Sequence, residues 1–372
     1  MNRAQPLPRM RTALGRIPPA WLLVLFAPVS AEYLIGYDDT IGNPVALVFG
    51  LVIFAPLYGA PALLIREVTR RAGRGWPTML LLGCAFGLVQ AGLIDQSLFN
   101  PHYRSISYWD NLREPTLVSG AGVSAFMVLS FVGGHMITSV CAPIALAEAM
   151  FPGRAARPWV GRSGLVLLVV VWLGAAGYVL ADTLNAETFR PSAAQLTVTS
   201  LVVVALIGVA FTHPRAESRS ASRVAAPSPG LVLGVSALCL GVRPLLDSIC
   251  ARTAAAGGWV PTLLGLGALV VFALLLARWS SRDGWDARHV LAVAAGAFIS
   301  LSAVAFTVDP IGHVPLTAKL TDNAVLFALV LFLLHAAAVR LRPARPNPTL
   351  LGQPHPGDKG AWRTVCARVP SG

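Results

Sequence analysis

The stretch Gly164–Ala181, GLVLLVVVWLGAAGYVLA, contains no charged side chain and lies between Arg162 and Asp182. A helix that crosses a bilayer needs about 20 predominantly apolar residues, so this stretch has the composition and nearly the length of one membrane span. Inside lipid, every backbone N–H and C=O group must be bonded within the protein, and a single segment achieves this only as an α-helix. The stretch therefore predicts a transmembrane helix.

The same composition extends over the whole chain. Of its 372 residues, 55% are hydrophobic and only 12% are charged, and this charged share is about half that of a typical soluble domain. The ten-residue alternation of a membrane β-barrel is missing. We therefore expect an all-α, polytopic integral membrane protein with about ten transmembrane helices. The predicted spans are residues 17–36, 44–65, 76–98, 123–150, 164–181, 193–211, 230–249, 260–277, 290–307 and 323–339.

The positive charges are distributed unevenly along the chain, which carries a net charge of +12. Arginines concentrate at both termini and in every second loop, so the positive-inside rule places both termini in the cytoplasm of a multi-pass protein of the cell membrane. We expect the cytoplasmic arginine clusters to contact anionic lipids, and we do not expect nucleic-acid binding. Residues 1–31 also resemble a cleaved signal peptide, and cleavage would leave nine spans with unchanged orientation. The clusters include Arg66, Arg70, Arg71 and Arg74 in the second loop and Arg154, Arg157 and Arg162 in the fourth.

The linkers divide the chain into five regions. Two segments are rich in proline and basic residues and have too little apolar surface to fold alone. The predicted regions are a cytoplasmic N-terminus at 1–16, a six-helix membrane region with a candidate polar site at 17–212, a cytoplasmic linker at 213–229, a four-helix membrane region at 230–342 and a disordered cytoplasmic tail at 343–372.

The five cysteines contain no C-x-x-C pair. Most of them lie in apolar runs, where a cysteine usually packs as a small hydrophobic side chain. We therefore expect neither a metal site nor a cofactor, and the sequence leaves the oligomeric state open.

Ionisable side chains inside spans are costly and are candidates for function. Glu32, Gln90, Asp95 and His135 all lie between mid-membrane and the outer surface, so they are candidates for one substrate-binding cavity, with His135, Glu32 and Asp95 as candidate catalytic groups. On a regular α-helix, Asp95 lies about 140° around the axis from Gln90, so the two are not expected to point into one narrow space. Alternatively, Asp95 marks the water interface and His135 is a structural hydrogen-bonding residue.

Arg243 and Asp247 lie four residues apart in the seventh span. This spacing allows an ion pair on one helix, which is the least costly way to keep two charges at that depth. We interpret them as a structural ion pair.

Four stretches resemble a family of uncharacterised polytopic membrane proteins of high-GC Gram-positive bacteria. The resemblance covers about residues 20–165 and implies membrane topology but no activity. The stretches are Leu57-Tyr58-Gly59 with Ala62–Glu67, Gly75-Trp76-Pro77 with Leu80–Gly83, Gln96–Pro101, and Ala142-Pro143-Ile144 with Glu148 and Phe151-Pro152.

A fainter similarity is to the CAAX-protease and bacteriocin-processing intramembrane proteases. Their Phe-x-x-x-His motif is matched by Phe131–His135. Their paired glutamates are not matched, because Gln90 and Ala91 stand where the uncharacterised membrane proteins of the first resemblance usually have two acids. Glutamine neither takes a proton nor holds a divalent cation well, so the resemblance implies a protein that has lost proteolytic activity.

Three functions remain open from the sequence. The favoured one is a non-catalytic or degenerate membrane protein that binds a lipid or peptide in a polar pocket in helices one to four. The first alternative is an intramembrane hydrolase in which His135 acts with Glu32 or Asp95. The second is a small-solute permease, which requires a polar path reaching both faces of the membrane.

Overall fold

The computed structural model describes residues 18–38, 40–213, 222–253 and 258–342. The predicted N-terminal region 1–16, residues 214–221 of the predicted linker and the predicted tail 343–372 lie outside these residues. Ten apolar helices make up most of the described chain. They are α1 Pro19–Tyr33, α2 Pro44–Arg71, α3 Trp76–Ile94, α4 Ala125–Met150, α5 Arg162–Ala186, α6 Ala193–Thr212, α7 Pro229–Arg252, α8 Trp259–Trp279, α9 Ala287–Ala305 and α10 Leu316–Arg340.

In the described part of the chain, 9 helices, α2–α10, are long and apolar enough to cross a membrane, and α1 is shorter. Helix α1 joins a 10-residue α-helical part to a 5-residue π-helical part. At about 1.5 Å per residue, it does not reach across a hydrocarbon core of about 30 Å. The fold is thus the expected all-α polytopic membrane protein, with a first helix shorter than the predicted span 17–36.

Very little of the described chain is β-structure. Leu117–Val118 pairs antiparallel with Val123–Ser124 in the α3–α4 connection, which also contains the short helix Trp109–Arg113. Ser222–Ala225, in the predicted linker, pairs in parallel with Arg282–Asp283 of the α8–α9 connection. The linker region is therefore partly ordered against the neighbouring loop.

Helix α1 lies at the centre of the bundle, between two apolar clusters. Its Phe26 packs in a cluster with α4, α7, α9 and α10, and the Phe26 ring meets Phe298 of α9 edge-on at 5.3 Å. Its Leu23 and Ala27 belong to a second cluster with α2, α3 and α4. Helices α9 and α10 thus pack on α1 and α4, so the helices before and after the predicted linker form one body.

Two glycines allow helices to approach closely. A Cβ atom added at Gly59 of α2 would lie 2.1 Å from the Val24 carbonyl oxygen of α1, and one added at Gly296 of α9 would lie 2.4 Å from the Ser236 Cβ of α7. No side chain fits at either contact, because both distances are far inside van der Waals separation. These glycines set the spacing of α1 against α2 and of α7 against α9.

The connections after α2, α4, α6 and α8 form one face of the bundle, the even-loop face. Here α2 continues to Arg71, whereas the predicted span ended at residue 65. Arg66 and Glu67, expected in a loop, are therefore helical, and both are fully buried. The prediction was wrong because it treated the first charged residues as the helix end, whereas a buried charge is tolerated where partners bond it.

The partners of Arg66 come from α2, α4 and the α4–α5 connection. Its guanidinium bonds Glu67 Oε1 at 2.6 Å, Glu148 Oε1 at 3.1 Å and the Ala155 carbonyl oxygen at 2.6 Å. The same guanidinium lies 3.5 Å from the centre of the Trp159 ring. Arg66, Glu67, Arg70, Glu148 and Trp159 are called the even-face cluster below.

Arg70 completes the cluster by bonding both carboxylate oxygens of Glu148, at 2.8 and 2.5 Å. The charges of Arg66 and Arg70 are therefore paired with carboxylates of the protein itself. Of the arginines in the second and fourth loops predicted to meet anionic lipid on this face, four are exposed: Arg71, Arg154, Arg157 and Arg162.

Candidate functional site

Each of the first four helices contains a π-helical turn. These turns are Val29–Tyr33 in α1, Ala55–Gly59 in α2, Val89–Ile94 in α3 and His135–Cys141 in α4. Within the described residues, α5–α10 contain none. Such turns insert a residue into an α-helix and are frequent at functional sites. Here they hold Glu32, Tyr58, Gln90 and His135, one residue per helix.

The local sequence favours these wide turns. Pro28 immediately precedes the turn in α1, and Pro56 lies within the turn in α2. Proline lacks the N–H that an α-helix needs and its ring crowds the carbonyl four residues earlier, which disturbs the regular hydrogen-bond ladder. In α1 the Leu34 N–H accordingly bonds the Val29 carbonyl, five residues earlier.

The turn in α3 corrects the expected separation of Gln90 and Asp95. The Asp95 N–H bonds the Gln90 carbonyl at 3.0 Å, and the Gln90 Nε2 donates to Asp95 Oδ2 at 3.3 Å. The expectation assumed about 100° per residue, whereas an i→i+5 turn brings residues five apart onto one face. Gln90 is 1% exposed and supports the carboxylate from behind.

Glu32, Asp95, His135, Arg243 and Asp247 all line one cavity of about 260 Å³. This cavity, the odd-loop cavity, opens among the connections after α1, α3 and α9. These connections meet there: the Ile311 N–H bonds the Tyr37 carbonyl oxygen at 2.8 Å, and Asn111 Nδ2 bonds the Ala251 carbonyl oxygen at 2.9 Å.

Two tyrosines surround the Glu32 carboxylate. The Tyr37 hydroxyl, in the α1–α2 connection, donates to Glu32 Oε2 at 2.6 Å, and the Tyr58 hydroxyl interacts with the same carboxylate. Burial, and then the charge of Glu32, raise the pKa of Tyr37 well above its usual value. Tyr37 therefore keeps its proton at neutral pH and remains a hydrogen-bond donor.

His135 is held by aromatic and hydroxyl contacts. Its ring stacks on Tyr58 at 5.7 Å between centres and meets Phe86 edge-on at 5.9 Å. Its Nδ1 pairs with Ser139 Oγ at 3.0 Å, while Nε2 has no hydrogen-bond partner within the described ranges. Tyr58 thus touches both Glu32 and His135.

Helix α7 closes the opposite wall, which the sequence analysis placed outside the site. Arg243 and Asp247 form the i,i+4 ion pair, and Ser130 of α4 donates to Asp247 Oδ1 at 2.6 Å. A Cβ atom at Gly134 would lie 3.7 Å from Arg243 Nη2, so the glycine before His135 leaves room for this arginine. The ion pair is therefore also part of the cavity wall.

Sequence reasoning missed Tyr37 and Tyr58, and it left Tyr103, Tyr108 and Trp109 open between an outer lid and ordinary interfacial residues. All five line the cavity, and the Tyr103 and Trp109 rings lie 5.2 Å apart. Tyrosine and tryptophan are common at membrane interfaces for reasons unrelated to binding. For Tyr103, Tyr108 and Trp109, the position near Asp95 in the sequence was the available signal.

Over residues 21–345, the sequence matches the profile of an uncharacterized membrane protein family. The chain belongs to this family. No curated protein and no solved structure matches the chain. The match extends from within α1 through α10, so all the residues that line the odd-loop cavity lie within the matched range.

Proposed function

We propose that this member of the family binds the polar end of a membrane lipid in the odd-loop cavity and does not hydrolyse it. The observation that carries the proposal is the convergence of Glu32, Asp95 and His135 on one cavity. Its volume of about 260 Å³ is near the lower limit of small-ligand pockets, about 300 Å³, and suits a head group better than a folded peptide.

The contacts of His135 favour binding over hydrolysis. A histidine that acts as a general base in hydrolysis is commonly oriented by a carboxylate on its second ring nitrogen, or it acts beside a bound metal ion. His135 contacts Tyr58, Phe86 and Ser139, and no described carboxylate bonds it. Among the described residues, no group of three or more His, Cys, Asp or Glu side chains is placed to hold a metal ion. The neutral Gln90 is consistent with this interpretation.

The two faces of the bundle argue against the permease alternative. A permease needs a solvated path to both sides of the membrane. The residues that line the cavity lie in the half of the bundle that carries the odd-numbered loops. In the other half, the space between α2 and α4 is filled by the even-face cluster. A binding site open to one side fits this asymmetry.

The proposal also includes the orientation inferred from the charge pattern. With both termini in the cytoplasm of a high-GC Gram-positive cell, the cavity faces the outer side of the cell membrane. The bound lipid then comes from the outer leaflet, while anionic lipids contact the exposed Arg154 and Arg157 on the inner side.

Native mass spectrometry of the full chain, extracted in a mild neutral detergent, tests the proposal. Gly134 lines the cavity and Gly133 faces Leu269 of α8 instead. We expect lipid adducts on the wild type and on Gly133→Leu, and their loss on Gly134→Leu, because a leucine at 134 fills the cavity. Equal adducts on all three proteins, each eluting as a folded species, would contradict the proposal.

A further inference from the structure

The charges around the odd-loop cavity do not balance. Four carboxylates line it, from Glu32, Asp95, Asp247 and Asp309, against one lining guanidinium, that of Arg243. Asp247 is paired with Arg243, and Asp309 with Arg252 at 3.3 Å. Two of the four carboxylates are therefore neutralised within the protein.

Glu32 and Asp95 have no cation partner among the described residues. Glu32 is bonded by tyrosine hydroxyls, and Asp95 accepts from the Ser97 N–H at 2.9 Å and from Gln90. Arg104 acts electrostatically on Asp95, but it pairs with Asp182 at 3.9 Å and lies over the Tyr103 ring. Charges at membrane depth are normally paired, so two unpaired carboxylates beside one cavity require an explanation.

A second observation concerns a buried hydroxyl group beside Asp95. The Ser97 hydroxyl lines the cavity and is 2% exposed, yet it has no hydrogen-bond partner of standard geometry in the described part of the chain. Buried polar groups are almost always bonded. The Ser97 hydroxyl therefore interacts with the neighbouring Asp95 carboxylate without a hydrogen bond of standard geometry, and both groups face the cavity.

The remaining wall is aromatic. Tyr58 and Trp109 are buried at 4% and 5% exposure, and Tyr103 packs beside Trp109. Aromatic faces attract alkylammonium groups, and this attraction is strongest where water is excluded. Unpaired carboxylates combined with tyrosine and tryptophan rings form the usual recognition surface for an amine cation.

We propose that the group recognised in the odd-loop cavity is an ammonium group, held by Glu32 and Asp95 and enclosed by Tyr58, Tyr103 and Trp109. This inference rests on the proposed function and adds the chemistry of the head group. A lipid with an amine head and a free small amine share this chemistry, and the experiment separates them.

Calorimetric titration of the full chain in maltoside micelles compares octylammonium, octanol and octanoate, with ethanolamine as the amine without a chain. We expect octylammonium to bind at least about tenfold more tightly than octanol, with no detectable octanoate binding, because only the cation pairs with the carboxylates. Ethanolamine is expected to bind more weakly than octylammonium. Equal affinity for the two amines would show that the ligand is a free small amine and would contradict the proposal that it is a lipid.

The variants Glu32→Gln and Asp95→Asn keep the side-chain shape and remove the charge, so each is expected to lower octylammonium affinity about tenfold or more. Asp110→Asn is the matched control, because Asp110 is exposed on the same loop and does not line the cavity. Its affinity should equal that of the wild type.

The outcomes separate the two proposals. If all three octyl compounds bind alike and Gly134→Leu abolishes their binding, the cavity binds amphiphiles but the ammonium inference is wrong. If none binds while lipid adducts persist on the wild type, the ammonium inference is again wrong and the proposed function stands. If neither ligand nor lipid binds, both are wrong.

Discussion

The even-face cluster predicts a large loss of stability when Glu148 is changed to glutamine. The Glu148 carboxylate accepts three bonds, from Arg66 Nε at 3.1 Å and from Arg70 at 2.8 and 2.5 Å. Removing its charge leaves Arg66, which is fully buried, with Glu67 as its single carboxylate partner. Breaking a buried ion pair by removing one partner costs about 3–5 kcal/mol. Because the glutamine oxygen still accepts one bond, we expect about 3 kcal/mol.

Asp182→Asn is the matched control. Asp182 pairs with Arg104 at 3.9 Å, and both side chains are 56% exposed. Exposed pairs contribute about 0–1 kcal/mol, so the same change from carboxylate to amide should hardly alter the free energy of unfolding at this position. The measurement is reversible unfolding in mixed detergent and dodecyl sulfate micelles, followed by tryptophan fluorescence.

Combining Glu148→Gln with Arg70→Gln tests whether the charges act together. Because both residues belong to one network, the double variant should be about 0.5–3 kcal/mol more stable than the sum of the single changes implies. If Glu148→Gln costs no more than Asp182→Asn, the cluster does not stabilise the fold and this reasoning is refuted.

Two further predictions concern helix packing and helix capping. Gly59→Ala should destabilise the fold by about 1–3 kcal/mol, because its Cβ meets the Val24 carbonyl, whereas Gly174→Ala, with no atom within 4 Å, should be neutral or slightly stabilising in the same unfolding assay. Asp286 accepts from the Arg288 N–H at the start of α9, and its bonds to Arg288 and His289 outweigh burial and hold its pKa below the usual value. The stability that Asp286 contributes should therefore be present above about pH 4 and should be lost as the pH falls through the lowered pKa. Asp286→Ala should cost about 1 kcal/mol at pH 7 and remove this pH dependence, whereas Asp286→Asn keeps the cap. If Asp286→Ala loses stability in acid as the wild type does, the assignment is wrong.

The spans were predictable because lipid imposes length and composition on every helix that crosses it. The predicted span 193–211 differs by one residue from α6, Ala193–Thr212, and α8 extends its predicted span by a few residues. The largest errors were at the end of α2, which continues to Arg71 instead of residue 65, and at the start of α10, which begins at Leu316 instead of residue 323. Nothing local in Arg66 or Glu67 shows that Glu148 and Trp159 will bury them.

The candidate residues of the site were visible in the sequence, but their arrangement was not. Glu32, Asp95 and His135 stand out because ionisable groups are rare inside spans. Their convergence depends on π-helical turns, which change the hydrogen-bond register without a fixed sequence motif. For the same reason, a regular helix misplaced Asp95 relative to Gln90, and the contribution of α7 depends on packing across the predicted linker.

The even-face cluster and the odd-loop cavity use the same residue types for opposite purposes. In the cluster, the Glu67 and Glu148 carboxylates pair with arginines. The Glu67 carboxylate also accepts a hydrogen bond from the Trp159 backbone N–H at 2.8 Å, so the charges are satisfied within the protein. In the cavity, Glu32 and Asp95 meet only neutral donors. A charge bonded inside the protein stabilises the fold and has little left for a ligand, whereas an unpaired charge costs stability until a partner binds. Substitutions in the cluster should therefore lower stability, and neutral substitutions of Glu32 or Asp95 should preserve or raise it while removing binding. The sign of the change in the free energy of unfolding therefore distinguishes the binding site from the structural cluster in this bundle.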